Sequence, residues 1–166
     1  SGSDIEPIST DFDRDIGDIF WDEKGKGLYF LYDDTGETKI GHISLNGKVD
    51  TLATDLGGLS LGRPYTAAAY SVSNDGTLAF TLGGTEHPAD LATLSRNKTN
   101  RLTNLNEDLF SFRNLGDVQE MRWKSSYDDR EIQGWLVTPP DFDPSKKYPF
   151  ILEIHGGPHA AYGPHF

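Results

Sequence analysis

The chain has 166 residues, enough for one ordinary domain or parts of two. It is 36% hydrophobic and 25% charged, and 26 acidic against 15 basic residues give a formal net charge of −11, a surface that repels nucleic-acid phosphates and anionic lipid and so excludes both as expected partners. There is no cysteine, which removes disulfides and thiolate metal sites; no apolar run approaches the ~20 residues of a membrane span, and with no basic-then-apolar start the chain reads as lacking a signal peptide and is expected in the cytoplasm.

Residues 1–17 are polar and acidic and read as a loop entering the first strand. Ile19-Phe20-Trp21 is a short predicted strand, Asp22 to Gly27 a turn, and Leu28-Tyr29-Phe30-Leu31-Tyr32 a strong aromatic strand. Trp21, Tyr29 and Tyr32 are expected in the sheet core. Asp33-Asp34-Thr35-Gly36 holds residues that tolerate positive φ and predicts a turn. Lys39 to Leu45 alternates polar and apolar residues at period two, the pattern of a half-buried strand. Asn46-Gly47 then signals a hairpin, and Val49 to Ala53 closes the unit.

The unit recurs. Tyr70 to Ser73 matches the first strand, Asn74-Asp75-Gly76 the turn, and Thr77 to Leu82 the second strand, with Leu78 and Phe80 falling 50 positions after Leu28 and Phe30. Ala89 to Leu94 and Thr99 to Thr103 supply the third and fourth strands around a turn at Ser95 to Lys98. Four strands per repeat of about 50 residues predict β-propeller-type blades; a β-sandwich made of the same hairpins is the alternative. Two blades do not close a propeller, so partner blades are implied.

A boundary is expected between Asn104 and Asp117, with Asn106 to Phe112 as a short outer strand or connecting turn. Val118 to Lys124 alternates, Ser126 to Arg130 turns, and Ile132 to Thr138 returns as the partner strand, ended by Pro139-Pro140. Asp141 to Tyr148 is a loop with Phe142 tucked inward. Phe150-Ile151-Leu152-Glu153-Ile154 is short, apolar but for Glu153, and bounded by Pro149 and Gly156. It predicts a strand buried on both faces, as in a parallel sheet. His155-Gly156-Gly157-Pro158 ends it: two glycines permit a sharp turn and leave amide N–H groups uncovered. Such amides can be aimed at a developing oxyanion. Gly157 is the better donor, since Pro158 has no N–H.

Tyr148 to His159, preceded by Ile132 to Pro140, resembles the start of the catalytic domain in the prolyl oligopeptidase family of serine peptidases, in its acylaminoacyl-peptidase and dipeptidyl aminopeptidase branch. The resemblance is dense from about Val118 to Tyr162 and architectural upstream. It implies a mainly β chain: residues 1–114 as two four-stranded C-terminal blades of a β-propeller, and residues 115–166 as the first strands of an α/β-hydrolase domain. It implies an oxyanion-hole loop at His155, Gly156 and Gly157, short peptides as substrates, and no cofactor. The one Gly-x-Ser-x-Gly match, Gly58-Leu59-Ser60-Leu61-Gly62, falls between the two predicted blades and ahead of the His-Gly-Gly motif, whereas the elbow of the resembling family follows that motif; the 166 residues are therefore read as holding half of an oxyanion hole and no triad, and are expected to be inactive alone. An open strand edge at Phe150 to Ile154 predicts self-association through strand pairing or sheet stacking, as a homo-oligomer, or else a chain disordered after about Tyr148. The other readings are an esterase or lipase, which also use His-Gly-Gly loops, and a non-catalytic β-rich binding module.

Other candidates read as structural. His155, His159 and His165 cluster in sequence, but Gly156-Gly157-Pro158 breaks the helix that would put two imidazoles on one face, so no metal is expected. Asp33-Asp34 and Asp128-Asp129 fall at predicted turns, where Asp bonds its own backbone.

Overall fold

A computed structural model describes residues 5–60, 62–157 and 160–166; the opening residues and the Pro158-His159 end of the glycine motif lie outside the described residues. The chain is mainly β. Strands β1 (Gly17–Trp21), β2 (Gly27–Asp34), β3 (Glu37–Ser44) and β4 (Val49–Leu56) form one antiparallel meander. Strands β5 (Tyr70–Val72), β6 (Leu78–Leu82), β7 (Asp90–Ser95) and β8 (Lys98–Arg101) form a second. The two join edge to edge at a single pair, Leu56↔Leu82.

Each hairpin is set by residues that accept a left-handed backbone. Thr35 and Gly36 turn β2 into β3 at φ 54° and 81°, Gly47 turns β3 into β4 at 87°, Gly76 precedes β6 at 80°, and Arg96-Asn97 turn β7 into β8 at 50° and 60°. The turn expected from Asp33 is shorter than predicted. Asp33 and Asp34 stay in β2 because their carboxylates bond across the ladder, Asp33 to the Thr38 hydroxyl and Asp34 to the Lys39 ammonium.

The meanders stack with the core between them. Tyr29, Leu31, Ile40, Ala53 and Leu56 of the first meet Leu78, Phe80, Ala92 and Leu94 of the second. The repeat residues stack in one sense: Phe80 faces the first meander, whereas Phe30, 50 residues earlier, faces away from the second. Phe30, Tyr32 and Ile43 are instead covered by Ile8, Phe12 and Ile16. Phe12 packs edge-on to both rings at 5.5 and 5.1 Å. The segment expected to be a plain polar loop thus caps the outer face of the first meander. The second meander is tied to its exit by buried Asp90, which accepts from the Thr103 hydroxyl (2.6 Å), the Leu105 N–H (2.8 Å) and Arg101.

Beyond β8, the stretch expected as an outer strand or turn is a one-turn helix, α1 (Glu107–Phe110). Strands β9 (Val118–Lys124) and β10 (Glu131–Val137) pair in full register as a separate antiparallel hairpin. It leans on the β2–β3 turn, where the Gln133 amide donates to the Thr35 carbonyl at 2.8 Å.

Three expectations are corrected. Phe150 to Ile154 is not a buried strand: it has no regular structure, and Phe150, Ile151, Leu152 and Ile154 are exposed at 77, 88, 67 and 80%. A strand is stable only when its N–H and C=O groups meet a ladder, and no strand pairs with this run among the described residues. Trp21 is exposed because it lies on the edge strand β1, unlike Tyr29 and Tyr32. Phe142 is likewise exposed, resting on Tyr148 at 5.0 Å rather than entering a core.

Candidate functional site

The glycine motif meets the meanders at one place. The connection from β4 to β5 passes through Arg63-Pro64-Tyr65-Thr66, and the chain after the motif passes through Ala161-Tyr162-Gly163. These run antiparallel: Tyr65 bridges Tyr162, the Thr66 N–H donates to the Ala161 carbonyl (3.2 Å), and the Gly163 N–H donates to the Pro64 carbonyl (2.9 Å). Gly163 must be glycine, since a Cβ there would lie 1.9 Å from the Gly36 carbonyl oxygen. The Trp135 indole N–H of β10 donates to the Tyr162 carbonyl at 3.0 Å. First meander, hairpin and motif therefore converge on Tyr162.

The Tyr162 side chain carries this convergence to the motif. Its ring packs edge-on to Tyr65 at 4.7 Å and tilted against His155 at 5.1 Å. Arg63 Nη1 donates to the Tyr162 hydroxyl (2.7 Å) and to Glu153 Oε1 (3.0 Å), while the Tyr162 hydroxyl donates to the same carboxylate oxygen at 3.0 Å. The bond to Tyr162, then the Glu153 charge, holds the Arg63 guanidinium above its ordinary value. For the Tyr162 phenol the Arg63 bond pulls downward, but desolvation and the bond to Glu153 win and the net shift is upward. The cluster keeps a protonated phenol and a charged guanidinium side by side.

Of the sequence-predicted residues, His155 bonds its own loop: its Nδ1–H donates to the Gly156 carbonyl at 2.7 Å. Gly156 and Gly157 are exposed, and a Cβ on Gly156 would meet nothing within 4 Å. The backbone at Gly156 and Gly157 is therefore open, directly after the His155 ring that rests on Tyr162 and Tyr65. His165 is not brought to His155. It lies under Gly57, with Nε2 buried and without a hydrogen-bond partner among the described residues, and burial holds the imidazole below its ordinary value against the pull of Glu37, Asp33 and Asp55. Asp33 is occupied by the Thr38 and Thr66 hydroxyls, both at 2.8 Å. Asp34 is occupied by Lys39 and Arg14, which hold its carboxyl below the usual range.

Beside the cluster opens a groove of about 880 Å³, bounded by Asp13 and Arg14 of the capping segment, Asp33 and Thr38 of the first meander, and Thr66 and Ala161 of the crossing. Arg63, Tyr65 and Tyr162 were not legible as site residues. The local signal is Pro and Gly beside aromatics, in Arg63-Pro64-Tyr65 and Tyr162-Gly163-Pro164, which marks turns but not what they meet. Among the described residues no helix is long and apolar enough to cross a membrane.

The chain is similar to proteins named dipeptidyl-peptidase 5. It is 31% identical to that of Porphyromonas gingivalis over 91% of the chain, and 29% identical to that of Aspergillus fumigatus over 93%. It is 26% identical to the peptidase YuxL of Bacillus subtilis over 86%. In each case it spans about a fifth of the relative's length, 21%. A solved structure titled AtxE2 isopeptidase, in its apo form, shares the fold at a TM-score of 0.59 and 21% identity, over 81% of this chain and 20% of that one. No family model matches.

Proposed function

The chain belongs to the peptidase family of the dipeptidyl-peptidase 5 proteins, and from that premise we propose that it is the portion of a serine peptidase that carries the oxyanion loop, in a protein that hydrolyses short peptides. Residues 1–114 are read as the last two blades of a β-propeller, and residues 115–166 as the opening of an α/β-hydrolase domain. The single sense of stacking supports propeller blades: Phe80 faces the preceding meander as Phe30 faces away from the following one. In a two-sheet sandwich, equivalent inner residues would face each other.

The observation that carries the catalytic reading is the exposed Gly156-Gly157 backbone following the His155 ring held on Tyr162; a groove lined in part by Thr66 and Ala161 opens on the same crossing. In the reaction a serine oxygen adds to the peptide carbonyl carbon, its proton passes to a histidine base, and the carbonyl electron pair moves onto oxygen. The Gly157 N–H is the group we assign to donate to that oxygen, with His155 bracing the loop through its bond to Gly156. Nucleophile, base and acid are read as lying outside these 166 residues, since the Gly58–Gly62 match sits in the connection from β4 to β5 and not in a strand-to-helix elbow. The isolated chain is therefore expected to show no turnover and no stoichiometric fluorophosphonate label. In the full-length protein, Gly157→Pro removes the donor and is expected to lower turnover of a chromogenic dipeptidyl substrate roughly a hundredfold, the usual scale for one oxyanion donor. A variant folded by circular dichroism with unchanged turnover would contradict the assignment.

A further inference from the structure

We propose that Arg63 is a positioning residue: from the connection between the two meanders, it fixes both ends of the His155–Gly157 loop and so sets the aim of the Gly157 amide. The inference rests on the oxyanion reading above and adds a residue 92 positions before the loop. One guanidinium nitrogen holds Glu153, two residues before His155, and Tyr162, five after Gly157. The Tyr162 hydroxyl closes the ring by donating to Glu153. The loop has little else to hold it among the described residues: the run leading in has no ladder, and a Cβ on Gly156 would meet nothing within 4 Å. Its remaining support is the His155 ring on Tyr162 and, at 6.5 Å, on Tyr65, the neighbours that Arg63 and the backbone crossing fix.

The charges are not buried. Arg63 and Glu153 side chains are 59 and 61% exposed, so the pair contributes little to folding. What it supplies is geometry, and a donor misplaced by about 1 Å can cost on the order of a hundredfold in rate. A guanidinium suits the task because Nη1 carries two N–H donors in fixed directions, one for each oxygen.

The test uses the full-length protein with a chromogenic dipeptidyl substrate. Arg63→Met is expected to lower kcat about tenfold with KM within twofold, and Arg63→Lys to recover part of that loss. Glu153→Gln approaches the same bridge from the loop side, and combined with Arg63→Met should lose no more than Arg63→Met alone. Losses that multiply, a raised KM with intact kcat, or unchanged kinetics in both single variants would overturn the positioning role; the raised KM would make Arg63 a substrate contact. Gly157→Pro separates this from the underlying reading. If Gly157→Pro is inactive while Arg63→Met matches wild type, only the positioning role fails. If Gly157→Pro is folded and fully active, the oxyanion reading fails and takes this inference with it.

Discussion

Leu28–Tyr32 and Phe150–Ile154 are five-residue runs of nearly equal apolar character, and they end in opposite environments. In the first, Phe30 is fully buried and Tyr29, Leu31 and Tyr32 are nearly so; in the second, every large apolar side chain is exposed. The first is hydrogen-bonded to β1 and β3 and covered on one face by the second meander, on the other by Ile8, Phe12 and Ile16. The second has no ladder among the described residues. Apolar side chains supply a driving force, but a strand must also satisfy its backbone polar groups. Sequence composition reports the first requirement and not the second.

Removing the ring that the first run buries should show the contrast at its largest. Phe30→Ala is expected to cost about 3–5 kcal/mol in urea unfolding, from lost burial plus the cavity it leaves. An effect under about 1 kcal/mol would mean that the capping segment does not cover that face. Asp90 tests the other end of the stacked core. Burial pushes its carboxyl up, but the Thr103 hydroxyl, the Leu105 N–H and Arg101 outweigh it and hold it below the ordinary range. A carboxyl lowered in the folded state contributes stability that is present above its unfolded value and lost as pH falls through its folded one. Asp90→Asn should cost about 1.5–3 kcal/mol at neutral pH and flatten the loss of stability below about pH 4; an unchanged acid profile would count against the buried network.

Smaller effects sharpen the comparison at its edges. The Tyr29 hydroxyl reaches Glu23 at 3.0 Å, and burial with that bond pushes the phenol up to about 12. Tyr29→Phe should cost about 1 kcal/mol, the net value of one hydrogen bond, in the same denaturation series. Phe150→Ala is expected to fall within about 0.5 kcal/mol, as for a surface change. Its signature lies in association: the exposed apolar run should drive concentration-dependent self-association, and Ile151→Lys should weaken it in sedimentation velocity. A wild-type chain that stays monomeric at all concentrations would remove that expectation.

Most strands were legible because alternation and turn residues coincide. Val118 to Lys124 forms β9 at the predicted bounds, and Gly47, Gly76 and Asn97 take the positive φ that their hairpins need. The 50-residue repeat of Leu28 and Phe30 at Leu78 and Phe80 is matched by two meanders stacked in one sense. The capping role of Ile8, Phe12 and Ile16 was not legible, because three apolar residues spaced 4 apart in a polar stretch carry no strand period. Nor was the cluster at Tyr162: Arg63 and Tyr162 are 99 positions apart and meet only because β10 and the β2–β3 turn bring the crossing together. The glycine motif was found by its local chemistry, while the residues that hold it came only from the fold.

Hydrogen exchange at Phe150 to Ile154, read by mass spectrometry against Leu28 to Tyr32, tests the central claim that an apolar run forms a strand only where a ladder meets its backbone, together with the proposal that the full-length protein supplies this run with one. The account predicts strong protection of Leu28–Tyr32 in the 166-residue chain and in the full-length protein, with Phe150–Ile154 exchanging fast in a dilute solution of the former and protected in the latter. Fast exchange at Phe150–Ile154 in a folded full-length protein, or equal protection in both, would contradict it.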